Sequence, residues 1–273
     1  MLFYPNAKIN IGLNVVEKRP DGYHNIQTVF YPIALHDEMR VQLADKHSVE
    51  DCSIELLNSN IEIPSADNLI VKAYRLLAQD YDLGKVQVQL TKNIPLGGGL
   101  GGGSANAAYM LKALNQLFNL QITADKLEKY AIRLGADCPF FIKNKAVYAT
   151  GVGDVFTSVN VSLSGYYLVL VIPNLHIATA EAYAAIRPQY PAKSLIESVQ
   201  APIEYWKEFI KNDFEIYAFN KYPELAAIKE NLYDLGASYA AMTGSGSTVF
   251  GLFKTSVPDL KTFEHYQVIV ESF

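Results

Sequence analysis

The chain has 273 residues, half of them hydrophobic and 19% charged, which is the composition of a folded globular protein with a sizeable core. The formal net charge of −5 argues against broad binding to nucleic acid or to an anionic membrane, because both need a basic surface. A local basic pocket for one anionic ligand is compatible with that charge. We therefore expect a small-molecule partner, with no nucleic acid and no membrane.

The N-terminal sequence and the cysteines indicate in which cellular compartment the protein is expected. MLFYPNAKINIGLN has no basic segment before a long apolar run, and no stretch of about 18 uncharged apolar residues predicts a membrane span. Cys52 and Cys138 form no CxxC pair and no Cys/His cluster, so neither a disulfide framework nor structural zinc is predicted. We expect a cytoplasmic protein that is a monomer or a weak homodimer.

The first part of the chain has the patterns of strands and then of one helix. In AKINIGLNVVEK, apolar residues such as Ile9 and Ile11 recur at every second position, the spacing of a strand with one apolar face. The next segment, RPDGYHN, has the composition of a turn. SADNLIVKAYRLLAQDY then predicts a helix with Ser65 or Asp67 as its N-cap.

The middle of the chain alternates between strand and helix patterns. KVQVQLTKNIP predicts a strand that leads into a glycine-rich segment. From Ser104 onward, apolar residues at spacings of three and four predict a helix with a buried stripe. ITADKLEKYAIRLGADCPFF predicts another helix, which Gly135 ends so that Asp137 lies just beyond it.

The last part of the chain opens with the apolar run YYLVLVIP, which predicts a buried strand and the start of a second domain. Several helical segments follow, then a glycine turn before the strand-like STVFGLF, and finally YQVIVESF. Strands and helices without regular βαβ alternation favour an α+β fold. We place the two domains at residues 1–160 and 161–273.

The glycine-rich segment predicts an anion site. Six of the seven residues from Gly97 to Gly103 are glycine, and a helix follows at once. Bare backbone before a helix lets several N–H groups converge on an anion, which the helix dipole also favours. A flexible linker would not lie between a strand and an amphipathic helix.

Two common phosphate loops do not fit this segment. The pattern GxxxxGK[ST] fails because no lysine follows the glycines. Gly97, Gly99 and Gly102 match GxGxxG, and Asp125 lies about twenty residues on, but Asp125 sits in a helix-capping sequence and not at the end of a strand. A dinucleotide-binding dehydrogenase is therefore rejected.

PLGGGLGGGSANAA resembles the phosphate-binding motif of the GHMP kinases, which act on galactose, homoserine, mevalonate and phosphomevalonate. Further segments share the resemblance: AKINIGLNV, KRPDGYHNIQTVF, LGADCPFF, ATGVGD and TGSGSTVFGLF. It implies an N-terminal ATP-binding domain like the second domain of ribosomal protein S5 and a ferredoxin-like C-terminal domain. The doubled glycine motif with RPDGYH resembles members that phosphorylate the 2-hydroxyl of a methylerythritol linked to cytidine diphosphate, in the non-mevalonate isoprenoid pathway.

Two alternatives stay open beside this expectation. One is another GHMP kinase, for mevalonate, homoserine or a sugar, although those substrates carry no cytosine for RPDGYH to hold. The other is an inactive relative that only binds nucleotide, although Lys8 and Asp137 are present together with the complete loop.

The resemblance implies that Asp137 is the catalytic base and Lys8 its partner. A lysine beside the aspartate would keep it ionised and steady the transferring phosphoryl oxygens. Without the resemblance, a lone aspartate and a lone lysine are more often surface residues. ATP and Mg²⁺ are the expected cofactors, and no residue is assigned as a metal ligand. The expected ATP-binding residues are Asn68, Lys92, Pro95, Leu96, Gly97, Gly98, Gly99, Leu100, Gly101, Gly102, Gly103, Ser104 and Asn106.

On the substrate side the resemblance implies Asn10, Tyr23, His24, Thr179 and Tyr183. Two tyrosines would stack on the faces of the cytosine ring, and the histidine would read its hydrogen-bonding edge. Three of these residues also have ordinary alternatives: Tyr23 as a turn residue, His24 as a polar residue at the start of a strand, and Tyr183 as a helix-core residue. The tight turn predicted at residues 244–246 is equally compatible with a plain hairpin and with a ligand contact.

Overall fold

The computed structural model describes residues 1–45, 47–58 and 67–273. It divides into two packed units that do not follow chain order. The first contains Met1–Ala7, Pro32–Leu96 and Gly101–Lys145; the second contains Lys8–Tyr31, Gly97–Leu100 and Ala146–Phe273. Because this division groups residues by packing, the predicted sequence boundary between residues 160 and 161 stays a prediction.

Strands and helices alternate along the chain without regular βαβ units, as the α+β prediction requires. The strands are β1 Leu2–Phe3, β2 Asn6–Lys18, β3 His24–His36, β4 Glu38–Leu43, β5 Cys52–Leu56, β6 Val86–Thr91, β7 Val147–Thr150, β8 Val155–Ser158, β9 Tyr167–Ile172, β10 Tyr239–Met242, β11 Val249–Phe253 and β12 Gln267–Ser272. The helices are α1 Leu69–Ala78, α2 Gly102–Leu117, α3 Ala124–Ala131, α4 Phe140–Lys143, α5 Thr179–Ala185, α6 Leu195–Ser198, α7 Trp206–Phe209, α8 Phe214–Lys221 and α9 Pro223–Asp234.

The first unit contains a four-stranded sheet in the order β1-β4-β6-β5. Strand β6 pairs antiparallel with β4 and parallel with β5. Its residues Val86, Val88 and Leu90 are buried while the glutamines between them are not, which is the alternation that the sequence predicts. Helix α2 buries its apolar stripe and packs against α1, so the helix that follows the glycines is held rigidly.

The second unit contains two four-stranded sheets, in the orders β2-β3-β7-β8 and β10-β11-β9-β12. Strand β9 lies between β11 and β12 and is antiparallel to both, which explains why the run around Val169 is apolar on both faces. Helices α8 and α9 contribute Phe214, Leu225 and Leu232 to the core beside β11. This core supports the turn between β10 and β11.

Strand β2 is buried on both faces from residue 7 to residue 16, whereas its sequence predicts one exposed polar face. The reason is tertiary contact: the Lys8 and Asn10 side chains bond to Gly99 and Thr28, and the segment that precedes α8 bonds to the backbone of the strand farther along. Leu13 N–H donates to Lys211 O at 2.9 Å, Asp213 N–H donates to Leu13 O at 2.8 Å, and Val15 N–H donates to the Asp213 carboxylate at 2.8 Å. The alternative that Lys8 is a solvated strand residue is therefore wrong, since only 3% of it is exposed.

Three helix boundaries differ from the prediction. The N-cap of α1 is Asn68, whose Oδ1 accepts from Ile70 N–H, and not Asp67; Ser65 lies outside the described residues. Helix α2 begins at Gly102 after a left-handed Gly101, two residues before its predicted start at Ser104. Helix α3 ends at Ala131, before Gly135, and turns continue the chain as far as α4.

Within the described ranges, none of the helices is both long enough and apolar enough to cross a bilayer.

Lys112 on α2 is largely buried, and no carboxylate of the described residues forms an ion pair with it. Its ammonium donates to Phe141 O at 2.7 Å and lies 4.3 Å from the centre of the Tyr109 ring. Burial lowers the pKa of Lys112 to about 8, well below the ordinary value for a lysine. The contact ties α4, the helix after the Asp137 turn, to α2.

This lowered pKa predicts a pH dependence of stability. Between the folded and unfolded pKa values, unfolding takes up a proton, so the free energy of unfolding rises with pH in that window and the gain is lost as pH falls through about 8. Relative to Lys112→Met, the wild type should become more stable by roughly 1–2 kcal/mol between about pH 7.5 and about pH 9.5. Urea unfolding at both pH values measures this difference. Lys129→Met, at an exposed position on α3, is the control and should show no such rise.

Candidate active site

The glycine-rich loop has an alternating backbone conformation. Gly97, Gly99 and Gly101 have positive φ angles of 72°, 78° and 75°, whereas the residues between them do not. Such alternation of left- and right-handed residues turns successive N–H groups towards one concave side, which is a known arrangement for binding anions. It also explains why a leucine is tolerated among the glycines, since Leu100 has an ordinary φ and its side chain is buried.

The carbonyl groups of the loop are held by the second unit. Gly98 O accepts from Thr248 N–H at 3.3 Å, and Leu100 O accepts from Lys8 N–H at 3.0 Å. Gly99 O accepts from the Lys8 ammonium at 2.9 Å. The Thr243 hydroxyl lies 3.3 Å from Gly99 O and 3.2 Å from Asn10 Oδ1, and its one proton can be donated to either. Three consecutive carbonyl groups are thus used by the protein itself.

The N–H groups of the loop are not used in this way. From Gly97 to Ser104, no N–H group donates a hydrogen bond to any of the described residues. Backbone donors in a folded chain normally find partners, and the first N–H groups of a helix are those that lack one inside the helix. Since Gly101 provides no side-chain cap for α2, this row of donors can accommodate the oxygens of a phosphate chain.

A second glycine turn lies directly behind the first. A Cβ atom on Gly99 would collide with the carbonyl group of Thr243, and a Cβ atom on Gly244 would lie 3.1 Å from Gly99 O. Asn212 holds this turn, because its Nδ2 donates to Met242 O at 2.7 Å and to Gly244 O at 2.8 Å. The turn at residues 244–246 is therefore the hairpin connection between the antiparallel strands β10 and β11, and it also supports the loop.

The serine side chains of this turn are engaged within the second unit. The hydroxyl oxygens of Ser245 and Thr179 lie 3.0 Å apart, and Ser247 Oγ donates to Leu175 O at 2.7 Å. A ligand contact by Ser245 or Thr179 stays a prediction.

Lys8 lies in a buried polar network on β2. Its ammonium donates to Asn10 Oδ1 at 2.6 Å as well as to the loop, and it lies 5.3 Å from the centre of the Phe30 ring. Asn10 donates from Nδ2 to Thr28 Oγ1 at 2.9 Å and from its backbone N–H to Thr243 Oγ1 at 3.0 Å. The predicted substrate residue Asn10 therefore has its polar atoms in use inside the protein, and its contact with substrate stays a prediction.

The aromatic residues predicted to hold cytosine lie in the second unit. His24 and Tyr183 stack on each other, with ring centres 5.0 Å apart and planes 18° apart. Burial, and then the positive charge of Lys18, lower the pKa of His24. Tyr23 is two-thirds exposed and presents its ring to solvent. The neutral imidazole and the exposed phenol are the groups that a base could contact.

In the first unit, two predicted ATP-binding residues have structural partners. Lys92 forms an ion pair with the fully buried Asp37, whose other carboxylate oxygen accepts from Asn93 N–H and Ile94 N–H, each at 2.8 Å. This interaction holds the segment that leads into the loop. Asn68 caps α1, as described above. Contacts of Lys92 and Asn68 with adenosine stay predictions.

The remaining predicted ATP-binding residues of the first unit surround the start of α2. Ser104 is at the third position of the helix, and its hydroxyl partly offsets the rise in the pKa of the Cys138 thiol. Asn106 is 4% exposed, and its Oδ1 has no partner among the described residues. Pro95 is half-buried and Leu96 is exposed just before the loop.

Asp137 lies half-buried in the turn between α3 and α4, in the first unit. The neighbouring Cys138 is fully buried, and burial raises the pKa of its thiol to about 12, so that Cys138 is not a nucleophile. Lys8 belongs to the second unit, and its partnership with Asp137 stays a prediction.

Sequence reasoning missed Thr28, Asp37, Asn212 and Thr243. Each of them is almost fully buried. Because buried polar groups are usually hydrogen-bonded, a threonine within a predicted core strand is the signal that would have found Thr28, whereas Asp37 and Asn212 lie among other polar residues and give no such signal. Across the ranges that the structure describes, no three His, Cys, Asp or Glu side chains are grouped to hold a metal ion.

The packing of the two glycine turns predicts that Gly99→Ala is severely destabilising. A left-handed alanine alone costs roughly 1–2 kcal/mol, and overlap with Thr243 should add roughly 1–3 kcal/mol. The control is Gly165→Ala, where φ is 83° but nothing lies within 4 Å of the added Cβ atom. Urea unfolding of both variants measures the difference, and equal losses of stability would show that the close approach is unimportant.

Comparison with known proteins agrees with this geometry. The sequence model of the GHMP kinases N terminal domain matches residues 68–145, and that of the GHMP kinases C terminal domain matches residues 195–261. A protein of Bacteroides fragilis named 4-diphosphocytidyl-2-C-methyl-D-erythritol kinase is 52% identical over 255 residues, which is 93% of this chain and 92% of that protein. A protein of the same name from Chlorobium phaeobacteroides is 38% identical over 91% of this chain and 87% of its own length.

Solved structures show the same relationship. The crystal structure of a 4-(cytidine 5'-diphospho)-2C-methyl-D-erythritol kinase superposes with a TM-score of 0.79, at 29% identity, over 99% of this chain and 98% of that one. A mevalonate kinase from Methanococcus jannaschii superposes with a TM-score of 0.66 at 14% identity, over 100% of this chain and 98% of that one, and so shares the fold. Both the N-terminal and the C-terminal sequence models match, the relatives cover nearly the whole chain, and the α+β fold is common to all: the chain belongs to the GHMP kinase family.

Proposed function

We propose that this protein transfers the γ-phosphoryl group of ATP to the 2-hydroxyl group of 4-diphosphocytidyl-2-C-methyl-D-erythritol. The observation that carries the proposal is the row of N–H groups from Gly97 to Ser104 that find no partner among the described residues. Backbone donors at a helix N-terminus suit a triphosphate. The names of the similar proteins from Bacteroides fragilis and Chlorobium phaeobacteroides support the choice of acceptor.

The residues present are compatible with bound ATP. Phosphoryl transfer depends mainly on positioning and on neutralising the charge of the phosphates. The loop would supply N–H donors, and the Ser104 hydroxyl, at the third position of α2, would contact the phosphates or the Mg²⁺ that accompanies them. When bound, Mg²⁺ would neutralise phosphate charge while keeping several of its own waters.

Lys8 and Asp137 are the proposed catalytic residues. Asp137 would accept the proton of the substrate hydroxyl, and Lys8 would stabilise negative charge on the transferring group. The acceptor is a tertiary alcohol, which is crowded, so correct orientation should matter more than the strength of the base. In the proposal the cytidine group provides that orientation through Tyr23, His24 and Tyr183.

A cytoplasmic location belongs to the same proposal.

The test of the proposed function is an ADP-release assay with four acceptors. The purified protein receives MgATP together with the cytidine-linked methylerythritol, galactose, mevalonate or homoserine. Turnover is expected with the first acceptor alone. Turnover only with one of the other three would replace the proposed substrate, and ATP binding without turnover on any acceptor would favour the inactive relative.

Asp137→Asn should abolish most of the turnover while substrate and ATP still bind, because the amide keeps the shape of the side chain but cannot accept the proton. A loss of roughly 10²–10⁴-fold in kcat is expected, with KM values little changed. Asp125→Asn, at an exposed position in the first turn of α3, is the matched control. Near-normal kcat in Asp137→Asn would remove the base assignment.

Removing the cytidine monophosphate part of the substrate should lower kcat as well as affinity. Binding energy from that remote part would be used to orient the tertiary hydroxyl, so methylerythritol phosphate should be a poor acceptor even at saturation. Steady-state kinetics with both acceptors measures this. An unchanged kcat with methylerythritol phosphate would mean that the cytidine group contributes binding only.

A further inference from the structure

The network around Lys8 includes three other side chains that solvent scarcely reaches. Asn10 is 2% exposed, and Thr28 and Thr243 are fully buried. Thr28 lies on β3 beside β2, and its hydroxyl faces Asn10 and the backbone of Gly12. Because it is fully buried, Thr28 touches no substrate directly.

The hydroxyl of Thr28 determines how the side-chain amide of Asn10 is oriented. Its single proton is donated to Gly12 O at 2.6 Å, so that towards Asn10 it can only accept. Asn10 must therefore point its NH₂ group at Thr28, at 2.9 Å, and its carbonyl oxygen the other way. A hydroxyl group can in general donate or accept a hydrogen bond, but here its one proton is already donated to the Gly12 carbonyl oxygen.

The orientation of Asn10 in turn fixes Lys8. Asn10 Oδ1 accepts from the Lys8 ammonium at 2.6 Å, and Gly99 O accepts from the same ammonium at 2.9 Å. If the amide of Asn10 were reversed, its NH₂ group would face the ammonium and two donors would oppose each other. With both acceptors in place, the charged end of a side chain with four rotatable bonds is held at two points.

We propose that Thr28 is a positioning residue that acts on Lys8 through Asn10. It keeps the Asn10 carbonyl turned towards the ammonium, and so holds the charge of Lys8 at the carbonyl side of the phosphate loop. This inference rests on the proposed function, since it takes Lys8 to be a catalytic residue. A misplacement of about 1 Å at such a group can cost roughly 10²-fold in rate.

The test uses Thr28→Val, which keeps the volume but removes the hydroxyl, beside Thr28→Ser, which keeps the hydroxyl. Thr28→Val should lower kcat by roughly 10–100-fold, while KM for both substrates changes by less than about threefold. Thr28→Ser should return kcat to within about threefold of wild type. If Thr28→Val does not fold, Thr28→Ala replaces it, and urea unfolding monitors the stability of every variant.

A double-variant cycle separates positioning from a merely structural role. In a Lys8→Met background, Thr28→Val should have no further effect on kcat, because the group it positions is absent. Wild-type kcat in Thr28→Val, or an equal fold-loss with and without the Lys8 amine, would overturn the inference. Wild-type kcat in Lys8→Met would instead refute the catalytic role of Lys8 in the proposed function, and the two failures are therefore distinguishable.

A measurement without turnover completes the test. The side-chain ammonium of Lys8 should give an NMR signal that is identified by its absence in Lys8→Met. We expect this signal to shift or broaden in Thr28→Val and to keep its position in Thr28→Ser. An unchanged signal in Thr28→Val would show that Thr28 does not hold the ammonium.

Discussion

The carbonyl oxygen of Gly99 accepts a hydrogen bond from the Lys8 ammonium, and the neighbouring carbonyls of Gly98 and Leu100 are held by backbone N–H groups. A peptide unit whose carbonyl is fixed on one side must present its N–H group on another. Holding the acceptors of the loop therefore leaves its donors available for an anion. The anion-binding character of the loop depends on this division of its two kinds of backbone group.

The glycines of the loop serve two separate physical requirements. Alternate positions need positive φ, and at Gly99 there is also no space for a Cβ atom, because the backbone of Thr243 lies against it. A conformational need alone would tolerate asparagine at some cost, whereas a close approach tolerates no side chain at all. The second glycine turn, held by Asn212, is thus as much a part of the loop as the glycines themselves.

Several polar residues that the sequence predicts to contact a ligand form hydrogen bonds or ion pairs within the protein. Lys92 pairs with buried Asp37, Asn68 caps α1, and Asn10 bonds to Lys8 and Thr28. In each case the structural partner also fixes a segment beside the candidate site. Matching a residue to a family motif identifies its place in the fold. Its hydrogen-bond partners decide whether it contacts the ligand itself or positions another residue that contacts the ligand.

The sequence alone determined the α+β class, the existence of most strands and helices, and the glycine loop before a helix, because periodicity and backbone chemistry are local properties. It placed the start of α2 and the end of α3 wrongly, since Ser104 and Gly135 have the composition of helix ends but Gly101 and the turns after Ala131 take those roles. Only the tertiary structure decided that the polar face of β2 is buried and that Thr28, Asn10 and Lys8 form one directed network. Lys8 and Asn10 lie on one strand, but their partners Gly99 and Thr243 are far away in the chain, and no local pattern states which acceptor a buried donor will meet.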